Sequence, residues 1–299
     1  MKKLSDAGII AVSDFFIGEL ILADRILERH IEIERSIIKK YRKAIWNNFV
    51  GGVQEYELIS EGDSIAVCIS GGKDSVLMAM CLRELQKHSN VPFSLKYIVM
   101  DPGYTQENRR LIEENCRTLK IDAHIFESDI FDVTERVGGA PCYLCARMRR
   151  GCLYSKAKEL GCNKIALGHH FNDVIETVMM SMMYSSEIKT MLPKLHSSNF
   201  EGMELIRPLY KVKEKDIISW ANYNGLKFLQ CACKLTEKSA DIEGLSKRKE
   251  TKQLIENIKK FNPHADDNIF RSLHNVNLAT MPAYRDCDSG ELHSFLEKY

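Results

Sequence analysis

The sequence predicts a doubly wound α/β protein with a mostly parallel sheet and helical extensions at both ends. Three observations carry this. Short apolar runs alternate with segments of helical length, a Ser-Gly-Gly turn follows the first run, and Gly-bearing loops close two later runs.

The elements follow in order. Residues 1–57 read as helical: Ile9, Phe16, Leu20, Ile26 and Ile33 are interspersed with charged residues, and no Pro interrupts them. Residues 64–69 (SIAVCI) form a buried-type strand, and 75–86 an apolar helix. Residues 93–100 (FSLKYIVM) form a second strand, broken by Asp101-Pro102-Gly103. Helix is expected over 106–119, strand over 123–127, helix over 145–160, strand over 164–167 and helix over 173–184. Beyond about residue 185 the pattern is irregular, with helices expected over 211–224, 247–260 and 268–275. This divides the chain into a helical region 1–57, a central α/β domain 58–210 and a mainly helical region 211–299. In such sheets ligands bind outside the carboxyl ends of the strands, where the three Gly-bearing loops lie.

Composition narrows the class. The 299 residues suffice for a large core, with 44% hydrophobic and 28% charged residues. Lys+Arg 42 against Asp+Glu 41 gives +1, so a polyanion partner requires local clustering of charge. Met1-Lys2-Lys3 is followed by Asp6 and Asp14, which breaks any secretory pattern, and no apolar stretch is long enough to span a bilayer. Ten cysteines in such a chain point to a cytoplasmic, reduced protein with working thiols.

The strongest signal is Ser70-Gly71-Gly72-Lys73-Asp74-Ser75, between a strand and a helix. The glycines allow a tight turn and close approach of an anion, and the helix start offers free N–H groups. Lys73 adds positive charge, Ser70 and Ser75 add hydroxyls, and Asp74 is a candidate magnesium ligand. The spacing is too short for a Walker A loop.

Cys142-Tyr143-Leu144-Cys145, after Gly138-Gly139 and Pro141, is the second signal; Cys231-Ala232-Cys233 lies far along the chain. Three chemistries compete for these thiols: an iron–sulfur cluster, a four-cysteine zinc site, and a redox or persulfide-carrying pair. Buried free thiols are the plain alternative. Cys68, Cys81, Cys116, Cys152, Cys162 and Cys287 stand singly, and Cys68 and Cys162 are expected in the core.

Gly168-His169-His170-Phe171-Asn172-Asp173 follows the last clear strand. His169 is placed to meet phosphate, and Asp173 to cap the next helix or hold magnesium. Arg147, Arg149 and Arg150, with Lys156 and Lys158, set five positive charges against Glu159 just after the C-x-x-C. Lys189, Lys194, Arg207, Lys211, Lys213 and Lys215 add more; these clusters suit nucleic-acid phosphates. The Met179-Met180-Ser181-Met182-Met183 stretch is expected to be packing.

SGGKDS after an apolar strand resembles the PP-loop of the N-type ATP pyrophosphatases. PCYLCARMRRG (141–151), GHHFNDVIET (168–177) and MLPKL (191–195) extend the resemblance to the TtcA-type tRNA 2-thiocytidine synthetases, over roughly residues 37–235. That resemblance implies a PP-loop-type sheet, use of ATP with Mg2+, and a [4Fe-4S] cluster held by three cysteines. It implies an anticodon-loop cytidine, position thirty-two of tRNA, as the target. ATP-binding residues would be Ser70, Gly71, Gly72, Lys73, Asp74, Ser75, Met100, Gly168, His169 and Asp173, with Mg2+ on Asp74. Cluster ligands would be Cys142, Cys145 and Cys231. Proteobacterial members have P-C-x-x-C at the third position, whereas this chain has Gln230-Cys231-Ala232-Cys233, so Cys233 is the alternative. Three ligands leave one iron open to carry sulfide; four would close the cluster.

Lys73, Asp74, Cys142, Cys145 and Cys231 are the expected catalytic group, and Arg147, Arg149, Arg150, Lys189, Lys194 and Arg207 the tRNA-binding one. The expected reaction adenylates cytidine C2 oxygen, releases pyrophosphate, and replaces that oxygen with sulfur from the cluster. Expected partners are tRNA and a sulfur donor, either a cysteine desulfurase or free sulfide; a homodimer is allowed. Rival readings are 2-thiouridine synthesis, lysidine synthesis, and a non-tRNA iron–sulfur carrier or redox protein with an ATP switch. The first is disfavoured because no second C-x-x-C finger flanks the domain.

Overall fold

The computed structural model describes residues 28–128, 130, 141–229, 243–286 and 289–298; for 141–145, 243–246 and 298 it describes the backbone alone. The chain divides into two compact units, residues 1–173 with 191–246, and 174–190 with 247–299.

The first unit holds a six-stranded sheet of order β3-β2-β1-β4-β6-β5. Its strands are β1 (Ser64–Ile69), β2 (Ser94–Asp101), β3 (Ala123–Glu127), β4 (Lys164–Ala166), β5 (Lys194–His196) and β6 (Glu204–Ile206). All neighbours pair in parallel except β5, which runs antiparallel to β6 at the edge. The chain winds outward through β1, β2 and β3, then returns to the other side of β1 with β4. The topological switch point therefore lies between β1 and β4. β1 is apolar on both faces because helices cover both, as a central parallel strand requires.

The segment before β1 belongs to the same core. A helix over residues 28–38 (α1), a π-helical turn (Arg42–Trp46) and α2 (Asn47–Glu55) bury Ile33, Ile37, Ile45 and Phe49 completely. Each such side chain contributes about 2 kcal/mol by burial. They pack with α3 (Lys73–His88) and with Trp220 of the helix Glu214–Tyr223 in one cluster. Ser36 Oγ accepts hydrogen bonds from Trp220 Nε1 and Asn224 Nδ2, both 3.1 Å, which stitches the sequence-distant ends together. Residues 28–57 and 214–223 thus share the core of the α/β domain.

α3 is buried nearly all round from Ser75 to Leu82, which explains its unbroken apolar run. Its outer end carries an ion-pair network: Glu34 meets Arg83 (2.7 Å) and Lys87 (2.8 Å). Burial alone would raise the Glu34 carboxyl, but these two cations hold it below its ordinary value. Arg83 also donates to the carbonyls of Leu119 and Lys120, which terminate α4 (Gln106–Thr118). At the amino ends of the strands, buried Lys164 bridges Asp63 (2.7 Å) and Glu204 (3.0 Å), joining the starts of β1, β4 and β6.

α5 (Pro141–Glu159) begins earlier than the expected 145–160, so both Cys142 and Cys145 fall within its first five residues. α6 (Phe171–Ser185) follows β4, and α7 (Glu214–Tyr223) follows β6. The strands β5 and β6 were not evident in the sequence. At three residues each they are too short for alternation to register, and their partners define them.

The second unit comprises the body of α6, most of α8 (Glu243–Phe261), α9 (Ala265–Ser272) and a hairpin of β7 (Ala283–Arg285) and β8 (Leu292–Ser294). Within it Arg248 pairs with buried Glu176 (3.5 Å), and Tyr184 donates to Glu250 (3.1 Å). Met182 and Met183 are exposed, so the Met-rich stretch is packing only in part, because a helix of this register must turn one side to solvent. No described helix is long and apolar enough to cross a membrane.

Candidate active site

The loop Ser70–Ser75 joins β1 to α3 and is closed on itself. Ser75 Oγ donates to Gly72 O (2.9 Å) and accepts from Ser70 N (3.1 Å) and Ser70 Oγ (3.2 Å). That uses the full capacity of the hydroxyl, so Ser75 braces the cradle. Gly71 has φ +82, a conformation that disfavours any Cβ. Gly72 is the N-cap of α3 and makes no side-chain cap, which leaves the first N–H groups of the helix for a ligand. Lys73 lies between Asp74 Oδ2 (3.2 Å) and Glu214 Oε1 (3.4 Å).

The β4–α6 loop presses against this cradle. A Cβ on Gly168 would lie 2.9 Å from Ser75 N and 3.0 Å from Ser75 Cα, so only glycine permits the approach. Asp173 Oδ2 accepts the His170 N–H (2.9 Å), which caps the start of α6. The buried His170 ring is 3.7 Å from Asp74 Oδ1 and 3.3 Å from Asp173 Oδ2. Asp74 Oδ1 is itself buried with no hydrogen-bond partner. A carboxylate oxygen left in that state suits a cation, and magnesium takes one or two carboxylates together with phosphate oxygens.

These loops bound a cleft of about 560 Å³ at the switch point, lined by Ser70, Asp74, Met100, Gly168, His169 and Asp173 among others. Seven of the ten expected ATP-binding residues line it, Ser75 included. A second cleft of about 950 Å³ adjoins the loop; Gly72, Lys73, Tyr104 and the segment 226–229 line it. Sequence reasoning missed the residues that shape this rim. Asp101 accepts from the Gly103 (2.9 Å) and Tyr104 (2.7 Å) N–H groups and from Arg109 (2.6 Å). Burial would raise its carboxyl, but these donors hold it below its ordinary value. The Asp-Pro-Gly turn after β2 was the available signal. Glu214 and Leu229 carried none, since their partners Lys73 and Gly71 are far away in sequence.

One stripe of α5 faces the cleft: Ala146, Arg149, Arg150 and Leu153, at helical spacing. Cys142 and Cys145 sit four residues before Ala146 and Arg149. Cys231 and Cys233 lie outside the described residues; Leu229, two residues before Cys231, donates its N–H to Gly71 O (3.2 Å). Cys68, Cys81, Cys116 and Cys162 are buried, and burial pushes the Cys116 thiol up to about 11.

The expected tRNA-binding positives separate. Arg147 and Arg150 flank a further cavity beside the cleft. Arg207 is only 7% exposed and lines both cavities, so it is a wall residue and not a surface charge. Burial above all pulls its guanidinium down to about 10. Lys194 starts opposite Ile206, but its side chain runs away from the cleft to Glu57 O (3.1 Å) and Glu204 (3.7 Å). Lys189 is exposed in the second unit and pairs with Glu187.

A parallel sheet with an anion cradle at its switch point defines a nucleotide-binding α/β protein. The PP-loop domain family matches residues 35–236. The tRNA-cytidine(32) 2-sulfurtransferase of Citrifermentans bemidjiense is 37% identical over 234 residues, covering 77% of this chain and 89% of its own. That of Vibrio vulnificus strain YJ016 is 35% identical over 258 residues, covering 85% and 81%. The chain belongs to the PP-loop family, among the tRNA-cytidine(32) 2-sulfurtransferases. The U34-tRNA thiolase NcsA from Methanococcus maripaludis, solved with its [4Fe-4S] cluster, has the corresponding fold: TM-score 0.62 at 23% identity, over 82% of both chains.

Proposed function

We propose that this protein is an ATP-dependent tRNA thiolase that replaces the C2 oxygen of anticodon-loop cytidine 32 with sulfur. The observation that carries the reading is the single cleft bounded by the SGGKDS cradle, the Gly168 loop and the helix that begins with C-x-x-C.

ATP phosphates lie on the free N–H groups at the start of α3, with Lys73 exchanging its carboxylate partners for phosphate oxygens. The cytidine C2 oxygen attacks the α-phosphorus, the α–β bridging bond breaks, and pyrophosphate leaves. The backbone amides and Lys73 stabilise the charge that develops there. Asp74 would hold Mg2+, which screens the phosphates. His169 faces the same cleft as a donor to phosphate. Sulfur then bonds to C2, the C2–O bond breaks, and AMP leaves.

Support for a cluster comes from position along the chain: Cys142 and Cys145 lie within the first five residues of α5, four residues before the cleft-lining Ala146 and Arg149, and Cys231 comes two residues after Leu229, whose N–H is bonded to Gly71 O. Cys142, Cys145 and Cys231 would hold a [4Fe-4S] cluster, which when bound would supply the incoming sulfur. The target base must be unstacked, which an RNA loop permits more readily than a helix.

Nucleoside mass spectrometry of tRNA from a deletion strain tests this. Loss of 2-thiocytidine, restored by the gene, is expected; unchanged 2-thiocytidine overturns the reading.

A further inference from the structure

Beside the nucleotide cleft lies a cavity of about 350 Å³ between α5 and the turn that joins β5 to β6. Three guanidinium groups line it, Arg147, Arg150 and Arg207, and among the described residues no carboxylate does. Arg147 and Arg150 are exposed and form no ion pair among the described residues. Arg207 is buried; among the described residues its Nε has no hydrogen-bond partner and its side chain donates to Leu192 O. The nearby Asp173 carboxylate acts on it without forming an ion pair with it, and a buried guanidinium in that state is costly unless an anion arrives to pair it.

The opposite wall is built to a fixed shape. Phe200 stacks on Tyr154 of α5 with centroids 5.1 Å apart and planes 14° apart. Ser197 Oγ accepts the Phe200 N–H (3.1 Å), and Ser197 N–H donates to Met203 O (2.8 Å). The pinned turn leaves Ser198 and Asn199 exposed at its tip, with no side-chain partner among the described residues. Along α5, positions 147, 150, 151 and 154 form one stripe facing that tip.

We infer that this cavity seats a backbone phosphate of the RNA substrate, held between Arg147 and Arg150 on one side and the Ser198–Asn199 tip on the other, with Arg207 behind. The inference rests on the proposed tRNA thiolation and names a subsite for it. Two features favour a polynucleotide phosphate over a free nucleotide. The seat has an exposed cationic rim, and it shares Arg150 and Arg207 with the nucleotide cleft, so a phosphate held here lies next to the reacting base.

The test uses full-length protein with Ser198→Glu, Asn199→Glu and Arg147→Gln, each compared with wild type for tRNA affinity across a salt series and for ATP affinity without tRNA. Each Glu variant is expected to weaken tRNA binding at least tenfold. Arg147→Gln should lower the slope of log affinity against log salt by about 0.7–0.9, the value for one phosphate. ATP affinity should stay at the wild-type value, which also shows that the variants are folded. Unchanged tRNA affinity and salt slope overturn the inference while leaving the thiolase reading intact. Glu variants that lose ATP affinity but keep tRNA affinity show a mononucleotide site and overturn it too. A wild-type protein that binds no tRNA overturns the thiolase reading, and the subsite with it.

Discussion

Leu229 donates its backbone N–H to the carbonyl of Gly71 at 3.2 Å, so the segment that runs to Cys231 is tied directly to the phosphate cradle. Their side-chain space is shared as well. A Cβ on Gly71 would lie 2.8 Å from both Leu229 Cδ1 and Ile112 Cγ1, and its φ of +82 already strains any other residue. Gly71→Ala should therefore lose more than the roughly 1–2 kcal/mol of left-handed strain, with ATP affinity reduced at least tenfold. Gly62, at φ +81 with nothing within 4 Å, isolates the strain: Gly62→Ala should cost stability alone. Calorimetric ATP titration of both variants checks this, and equal ATP affinities would refute it.

Gly168→Ala tests the contact between the two loops of the cleft. The new methyl meets main chain at Ser75, which cannot rotate aside. A stability loss of about 1–3 kcal/mol is expected from overpacking, together with a raised KM for ATP. Steady-state AMP formation reads the second effect; an unchanged KM would show that the loops are not coupled.

The Asp101 carboxyl is held below its ordinary value in the fold despite its burial. Its contribution is fully present above the unfolded value of about 4 and is lost as pH falls through the lower folded value. Wild type should therefore exceed Asp101→Asn in urea midpoint at neutral pH, and the gap should close in acid. A gap that widens with falling pH would contradict the assignment to Arg109 and the Gly103 and Tyr104 N–H groups.

Anaerobically purified protein should be brown with about four irons per chain. Cys142→Ser, Cys145→Ser and Cys231→Ser should each lose colour and iron, whereas Cys233→Ser and the fully buried Cys81→Ala keep both. Iron and sulfide assays decide it. Full iron in Cys231→Ser with loss in Cys233→Ser would exchange the third ligand.

Ile37→Ala should cost about 2–5 kcal/mol, because this side chain is completely buried in the core that also holds Trp220. Chemical denaturation measures it. A cost below 1 kcal/mol would mean that the segment before β1 is a separate extension.

The strands β1 to β4 and the cradle were legible because their signals are local. SIAVCI must be buried on both faces, and SGGKDS has its two glycines where the backbone turns. The C-x-x-C was legible as a pair for the same reason, although its helix starts four residues earlier than the apolar pattern indicated. Less was legible after residue 185, where three-residue strands depend on partners contributed from elsewhere.

The charges show the division most clearly. Arg147, Lys194 and Arg207 look alike as residues in a basic stretch. In the fold one lies on an exposed rim, one bonds away at the sheet edge, and one is buried between two cavities. The sequence by itself determined the alternation of strands and helices, the anion cradle and the presence of the C-x-x-C pair, because each depends on residues within a few positions of one another. Only the tertiary structure decided that the cleft lies between β1 and β4, that Gly168 and Leu229 close on the cradle, and which arginines line the cavities. Those facts follow from strand order and long-range packing, which bring together groups far apart in the sequence.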